Sequence, residues 1–165
     1  MSHFFPTSPY AEDQPLPTII LTTHVLYRGF QTGALFGPIT RSAIFLFKRH
    51  PLTSPALLRA TATGGIIGTV LSGVALVGRM WGREEIEWKD RSWALMRNRG
   101  QAEVDDWSQV GVVGGGVWGA LTGRRIGLGW RGPVAGAGLG SLLGVVGCMV
   151  WGRIRGVQEE GAISG

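Results

Sequence analysis

Three groups of residues in this 165-residue chain have types and spacing that could do chemistry. The first is Gly114-Gly115-Gly116-Val117-Trp118-Gly119, which satisfies the G-x-G-x-x-G spacing of a dinucleotide-binding turn. That turn needs a strand before it, a soluble helix after it and an acidic residue about 20 positions on to hold a ribose. No Asp or Glu occurs between Asp106 and Glu159, and Trp107–Gly123 carries no charge, so the nucleotide reading falls. The second group is His24 with Arg28, one helical turn apart in an apolar stretch. An ionisable residue at membrane depth is a functional candidate by default, and Arg28 equally suits a lipid phosphate or a partner subunit. The third is Arg124, Arg125 and Arg131, which crowd a short turn between two apolar stretches. They could bind phospholipid, cardiolipin in particular, or serve as interfacial anchors. The only cysteine, Cys148, lies in an apolar stretch and cannot form an intrachain disulfide. No nucleophile stands near a base, no carboxylates pair in an apolar stretch and no His/Cys spacing suggests a metal, so no catalytic residue, cofactor, metal or small-molecule substrate is expected.

The elements that must position these residues read as helices in a membrane. Glycine makes up 28 of 165 residues, charged residues only 16%, and mean hydropathy is +0.16. Net charge is +5 with a pI near 10.3. The basic residues flank apolar segments instead of forming a patch with exposed aromatics, which favours a lipid surface over nucleic acid. The apolar segments predict an all-α membrane protein with four glycine-rich transmembrane helices, over about 17–40, 56–79, 107–124 and 132–152. The uncharged windows inside the last three, Ala60–Gly78, Trp107–Gly123 and Gly132–Gly152, hold 19, 17 and 21 residues. A span needs roughly 17–25. Residues 1–16 form an extended, Pro-rich arm with neither secretory-signal nor presequence character, expected to order only against a partner. Residues 17–153 form the membrane domain and 154–165 a short polar tail. Between the second and third spans lies the polar piece Arg79–Asp106. Its centre, Glu84–Arg99, suits either a helix on the membrane surface or a loop helix whose tryptophans pack on a neighbour. Asp105 and Asp106 fall at the start of the third span, where carboxylates favour the positive end of a helix.

The glycines have a spacing. Gly111, Gly115, Gly119 and Gly123 recur every fourth residue, as do Gly132, Gly136, Gly140 and Gly144, Gly29, Gly33 and Gly37, and Gly64 with Gly68. Six glycines in Gly111–Gly123 would cost a helix in water about 5–6 kcal/mol relative to alanine. In hydrocarbon the backbone must be helical regardless, and small residues four apart let two helix backbones approach closely. These thirteen positions are therefore expected to be helix-packing faces. A faint internal repeat relates Gly29–Thr40 to Gly111–Thr122.

Arg97-Asn98-Arg99-Gly100, then Asp105 and Asp106, then Gly119-Ala120-Leu121-Thr122-Gly123, resembles the loop and third helix of the mitochondrial inner-membrane translocase family. The resemblance implies four glycine-rich spans with both termini in the intermembrane space. The family includes import-channel subunits and accessory membrane subunits of respiratory complex I. No Asp or Glu occurs from Pro15 to Arg83 or from Trp107 to Gln158, whereas a cavity handling basic presequences calls for acidic groups. Size, arm and basic flanks look more like a fungal accessory subunit of complex I, of the NUXM type. The expectation is a non-catalytic subunit of NADH:ubiquinone oxidoreductase that stabilises or assembles the membrane arm, with other membrane subunits and phospholipid as partners. The alternative is a translocase component moving polypeptide or solute. Charge does not orient the chain, because Lys and Arg are nearly balanced between the two sets of loops.

Overall fold

A computed structural model of the chain describes residues 5–48 and 52–163, with the side chains of Lys48 and 156–163 outside the description. The described residues fold into five helices: α1 (Pro17–Lys48), α2 (Ser54–Met80), α3 (Glu85–Arg97), α4 (Arg99–Arg125) and α5 (Arg131–Ile163). α1 and α2 form one antiparallel pair, and α4 and α5 a second. The pairs meet mainly through α2 and α5, while α3 lies against α1.

Local chemistry sets the ends of these helices. Thr53 caps α2, its hydroxyl accepting from the Ala56 backbone N–H, with Pro55 in the first turn where a missing N–H is harmless. Asn98 caps α4 through a side-chain bond from the Gln101 N–H at 3.1 Å. Between α4 and α5 the chain reverses through Gly127 and Gly129, both at positive φ (69° and 55°), where a Cβ would strain the backbone. The Leu128 N–H bonds back to the Gly123 carbonyl at 2.8 Å and its side chain is buried, which closes that turn tightly.

Inside each pair the backbones touch. A Cβ on Gly33 would overlap the carbonyl of Gly64, and one on Gly68 the carbonyl of Gly29. In the second pair the carbonyls of Gly140, Gly136 and Gly132 occupy the places of Cβ atoms on Gly111, Gly115 and Gly119. Such contacts bring Cα–H groups against carbonyls across the seam, a weak but repeated attraction. Gly114, by contrast, has nothing within 4 Å, and Gly116 meets only ordinary contacts at 3.9 Å. The opening G-x-G-x-x-G match is thus two unrelated sets of glycines, one in the seam and one facing out.

The expectation of four glycine-rich membrane-spanning helices is overturned, although the all-helical part of it holds. Among the described residues only two helices, α2 and the Arg131–Arg155 part of α5, are long and apolar enough to cross a membrane. The physical reason lies in counting uncharged residues as if they were apolar. Glycine allows close approach but adds almost no apolar surface, and it makes up six of the thirteen residues in Gly111–Gly123. The rest of α4 begins with Arg99, Glu103, Asp105 and Asp106, and α1 carries His24, Arg28 and Gln31 along one side.

Two smaller differences, in the arm and in the tail, follow from packing. The piece between the second and third expected spans is helical, as α3, and Trp93 on it donates its indole N–H to the Ser8 carbonyl at 3.1 Å. The arm is therefore held by its own chain, and Gln14 within it is 1% exposed, bonded to the carbonyls of Pro6 and Pro15. The expected polar tail continues α5 as far as Ile163, with Arg155 paired to Glu103 of α4. Positions 1–4 and 164–165 of the expected arm and tail lie outside the described residues.

Candidate functional site

The two pairs are joined near one end by a polar cluster. On α1, His24, Tyr27, Arg28 and Gln31 fall at i, i+3, i+4 and i+7, a single helix face. On α4, Gln101, Asp105 and Ser108 do the same. Asp105 is 2% exposed and Ser108 fully buried. The Arg28 guanidinium donates to Asp105 Oδ1 at 2.5 Å and to Gln31 Oε1 at 2.7 Å. Gln101 Nε2 adds a second donor to Asp105 Oδ1 at 3.2 Å. The other carboxylate oxygen faces His24 Nδ1 at 3.5 Å, an ion-pair distance but not a hydrogen bond. Beside them the Tyr27 hydroxyl donates to Ser108 Oγ at 2.8 Å, and Ser108 in turn donates to the Asp105 carbonyl at 2.9 Å.

This arrangement decides what the residues can do. A carboxylate removed from water costs several kcal/mol unless it is paired and hydrogen-bonded. Arg28 and Gln101 meet that need, so Asp105 serves as an anchor for α1 on α4. The sequence places Arg28 beside His24 but does not show its counter-ion, which lies 77 residues away. Nor does Asp105 stand at a helix start: α4 begins six residues earlier, and no acidic residue occupies its first turn. The missed signal was that Asp105 and Asp106 border the apolar part of α4 while Arg28 interrupts that of α1.

The remaining candidates lie elsewhere. Arg124, Arg125 and Arg131 are all exposed at the α4–α5 turn, toward the opposite end of the bundle from Arg28. The structure therefore does not bring Arg28 together with them. Arg131 stacks over the Trp130 ring, 4.9 Å from its centroid. Gly29, Gly33 and Gly37 face Gly64, Gly68, Ala60 and Ser72 across the first seam. Gly111, Gly115, Gly119 and Gly123 face Gly132, Gly136 and Gly140 across the second, where Gly144 meets the backbone of Trp107 and Ser108. Cys148 is buried in α5. Among the described residues no group of three or more His, Cys, Asp or Glu could hold a metal ion.

Two open apolar grooves flank these seams. One of about 560 Å³ runs along α1 and α2 past Phe36, Ile44, Ile67 and Leu71, and Arg41 stands near one end. Another of about 460 Å³ lies between α1, α4 and α5, bordered by Tyr27, Phe30, Val113 and Val134.

Residues 5–159 match the model of a family described as a protein of unknown function (DUF1757), and the chain belongs to that family. Neither a curated protein nor a solved structure matches it.

Proposed function

We propose that this DUF1757 family member is a membrane-embedded, non-catalytic accessory subunit of mitochondrial NADH:ubiquinone oxidoreductase that stabilises or assembles the membrane arm. The observation that carries the membrane part is where the apolar surface points. Only 22% of the apolar window of α2 and 39% of that of α5 is buried, unlike the core helix of a soluble protein. Ile66, Ile67, Val70, Leu71, Val74 and Val77 on α2 face outward, as do Leu143, Val146, Met149 and Val150 on α5. Water would penalise such a surface at about 25 cal/mol per Å², whereas hydrocarbon or a partner helix would not. Trp130 and Trp151, both exposed, bracket the apolar part of α5 at 21 positions, about 31 Å along a helix and close to the ~30 Å of a bilayer core.

The mitochondrial inner membrane and the respiratory complex come from the sequence resemblance around Arg97–Gly123. The scaffold role is supported by chemistry already spent: the Arg28 guanidinium on α1 is committed to Asp105. Deleting the chain should lower the amount or detergent stability of assembled complex I while turnover per intact complex stays normal. If deletion leaves the complex intact and instead blocks import of a matrix protein, the reading is wrong and the translocase alternative replaces it.

A further inference from the structure

The two ends of the bundle differ in charge. No Asp or Glu lies between Asp13 and Glu84 or between Asp106 and Glu159. The end formed by the last turns of α1, the first turns of α2 and the α4–α5 turn therefore has no carboxylate. It carries Arg59, Arg124, Arg125 and Arg131 among its described residues. At the other end carboxylates are present and four cations are paired internally, in Arg28–Asp105, Arg83–Glu87, Lys89–Glu85 and Arg155–Glu103. A cluster of arginines with no acid within its own end needs counter-charge from outside the chain.

The α4–α5 turn concentrates that need. Arg124, Arg125 and Arg131 are exposed around two glycines, Gly127 and Gly129, that have nothing within 4 Å of a would-be Cβ. Buried Leu128 and its bond to Gly123 hold the turn in shape, so the three guanidinium groups start from a fixed base. The uncharged run of α5 begins at Gly132, directly after Arg131, and Trp130 is 56% exposed beside it. Arginines, an exposed tryptophan and the start of an apolar helix thus stand together, the combination found at the headgroup level of a leaflet.

We propose that the α4–α5 turn is a docking site for the phosphodiester headgroup of an anionic phospholipid, held by Arg124, Arg125 and Arg131. The proposal rests on the membrane reading above and adds a ligand to it. An anionic lipid in this place would neutralise the basic end and fix the depth of α5.

The test uses the full-length chain in mild detergent, titrated with cardiolipin, phosphatidylglycerol or phosphatidylcholine and read by native mass spectrometry. The wild type should prefer both anionic lipids. Each arginine is expected to contribute about five-fold, so R124Q/R125Q/R131Q should lose about a hundred-fold of that preference. The charge-conserving R124K/R125K/R131K should keep most of it, which separates lost charge from lost folding. R79Q/R153Q, at the other end, should keep all of it. The proposal is overturned if the wild type shows no anionic preference, if the glutamine variant retains it, or if the opposite-end variant loses as much. It is also overturned if millimolar inorganic phosphate displaces the lipid, since the turn is then a small-anion site, or if only an acidic protein segment binds. Carbonate extraction distinguishes the two readings: a chain released into the soluble fraction defeats the membrane assignment, and a retained chain without lipid preference defeats this one alone.

Discussion

The α1–α2 pair and the α4–α5 pair use one device to different extents. In α4–α5 the seam runs from Trp107–Gly144 to Gly123–Gly132, with glycine on both sides for most of its length. In α1–α2 it is shorter and ends in Ala60 at one side and Ser72 at the other. Along that shorter seam runs the groove of about 560 Å³, lined by seam glycines of both helices together with Phe36, Ile44, Ile67 and Leu71. The charged residues divide in a complementary way, α1 supplying Arg28 and α4 supplying Asp105. Glycine spacing thus decides which helices pair, and polar side chains decide how the pairs sit on each other.

The largest effect should come from filling the longer seam. Gly140→Leu drives a side chain into the backbone of Gly111 and Gly115, where neither side can yield. A loss of more than about 4 kcal/mol is expected, read as failure of the chain to accumulate. Gly114→Leu on the same seam's outer side meets nothing within 4 Å and should shift stability by about 0.5 kcal/mol or less. Equal accumulation of the two variants would remove the distinction between seam and outer glycines.

The joint between pairs comes next. Asp105→Ala leaves Arg28 without its carboxylate and should cost about 3 kcal/mol, seen as a lower Tm in detergent. Replacing both partners with leucine should recover a good part of that loss, because no charge is then left unpaired. A double variant as unstable as the single one would mean that Arg28 and Asp105 are not coupled.

A smaller change tests whether side chains around the shorter seam can yield. A Cβ on Gly65 would meet the Phe30 ring at 2.7 Å, and a ring can swing where a backbone cannot. Gly65→Ala should therefore cost about 1 kcal/mol, while Gly33→Ala, against the Gly64 backbone, costs clearly more. Similar Tm values for the two would contradict the ordering. The smallest effect belongs to the arm. Trp93→Phe removes the bond to Ser8 and should cost about 0.5–1.5 kcal/mol locally. Faster chymotrypsin cleavage after exposed Tyr10, with little change in Tm, is the expected result.

How much of this was legible beforehand depends on the distance over which each signal acts. The seam glycines could be named from the chain because a four-residue spacing is a property of one helix, with no knowledge of the partner. The Arg28–Asp105 bond could not, since it requires knowing that two helices 77 residues apart in sequence lie side by side. The seating of Ser8 on Trp93, across 85 residues, is hidden for the same reason. The span count failed differently. Charge-free length was visible in Trp107–Gly123, but its glycines supply contact and not apolar area, so the stretch falls short of what a crossing helix needs.

A seam made of glycine alone has one further consequence, which concerns register. The two central seam glycines of α4 each rest between two of α5: Gly115 touches both Gly136 and Gly140, and Gly119 both Gly132 and Gly136. Sliding one helix by a full turn, about 5.4 Å, would again set glycine against glycine. Side chains elsewhere index a helix pair like teeth, but the middle of this seam has none. The stop must come from outside, and the five residues Ile126–Trp130 supply it through the bond that ties Leu128 to Gly123. In this molecule the connecting turn is a measuring device: its length selects one alignment from a ladder of near-equal ones.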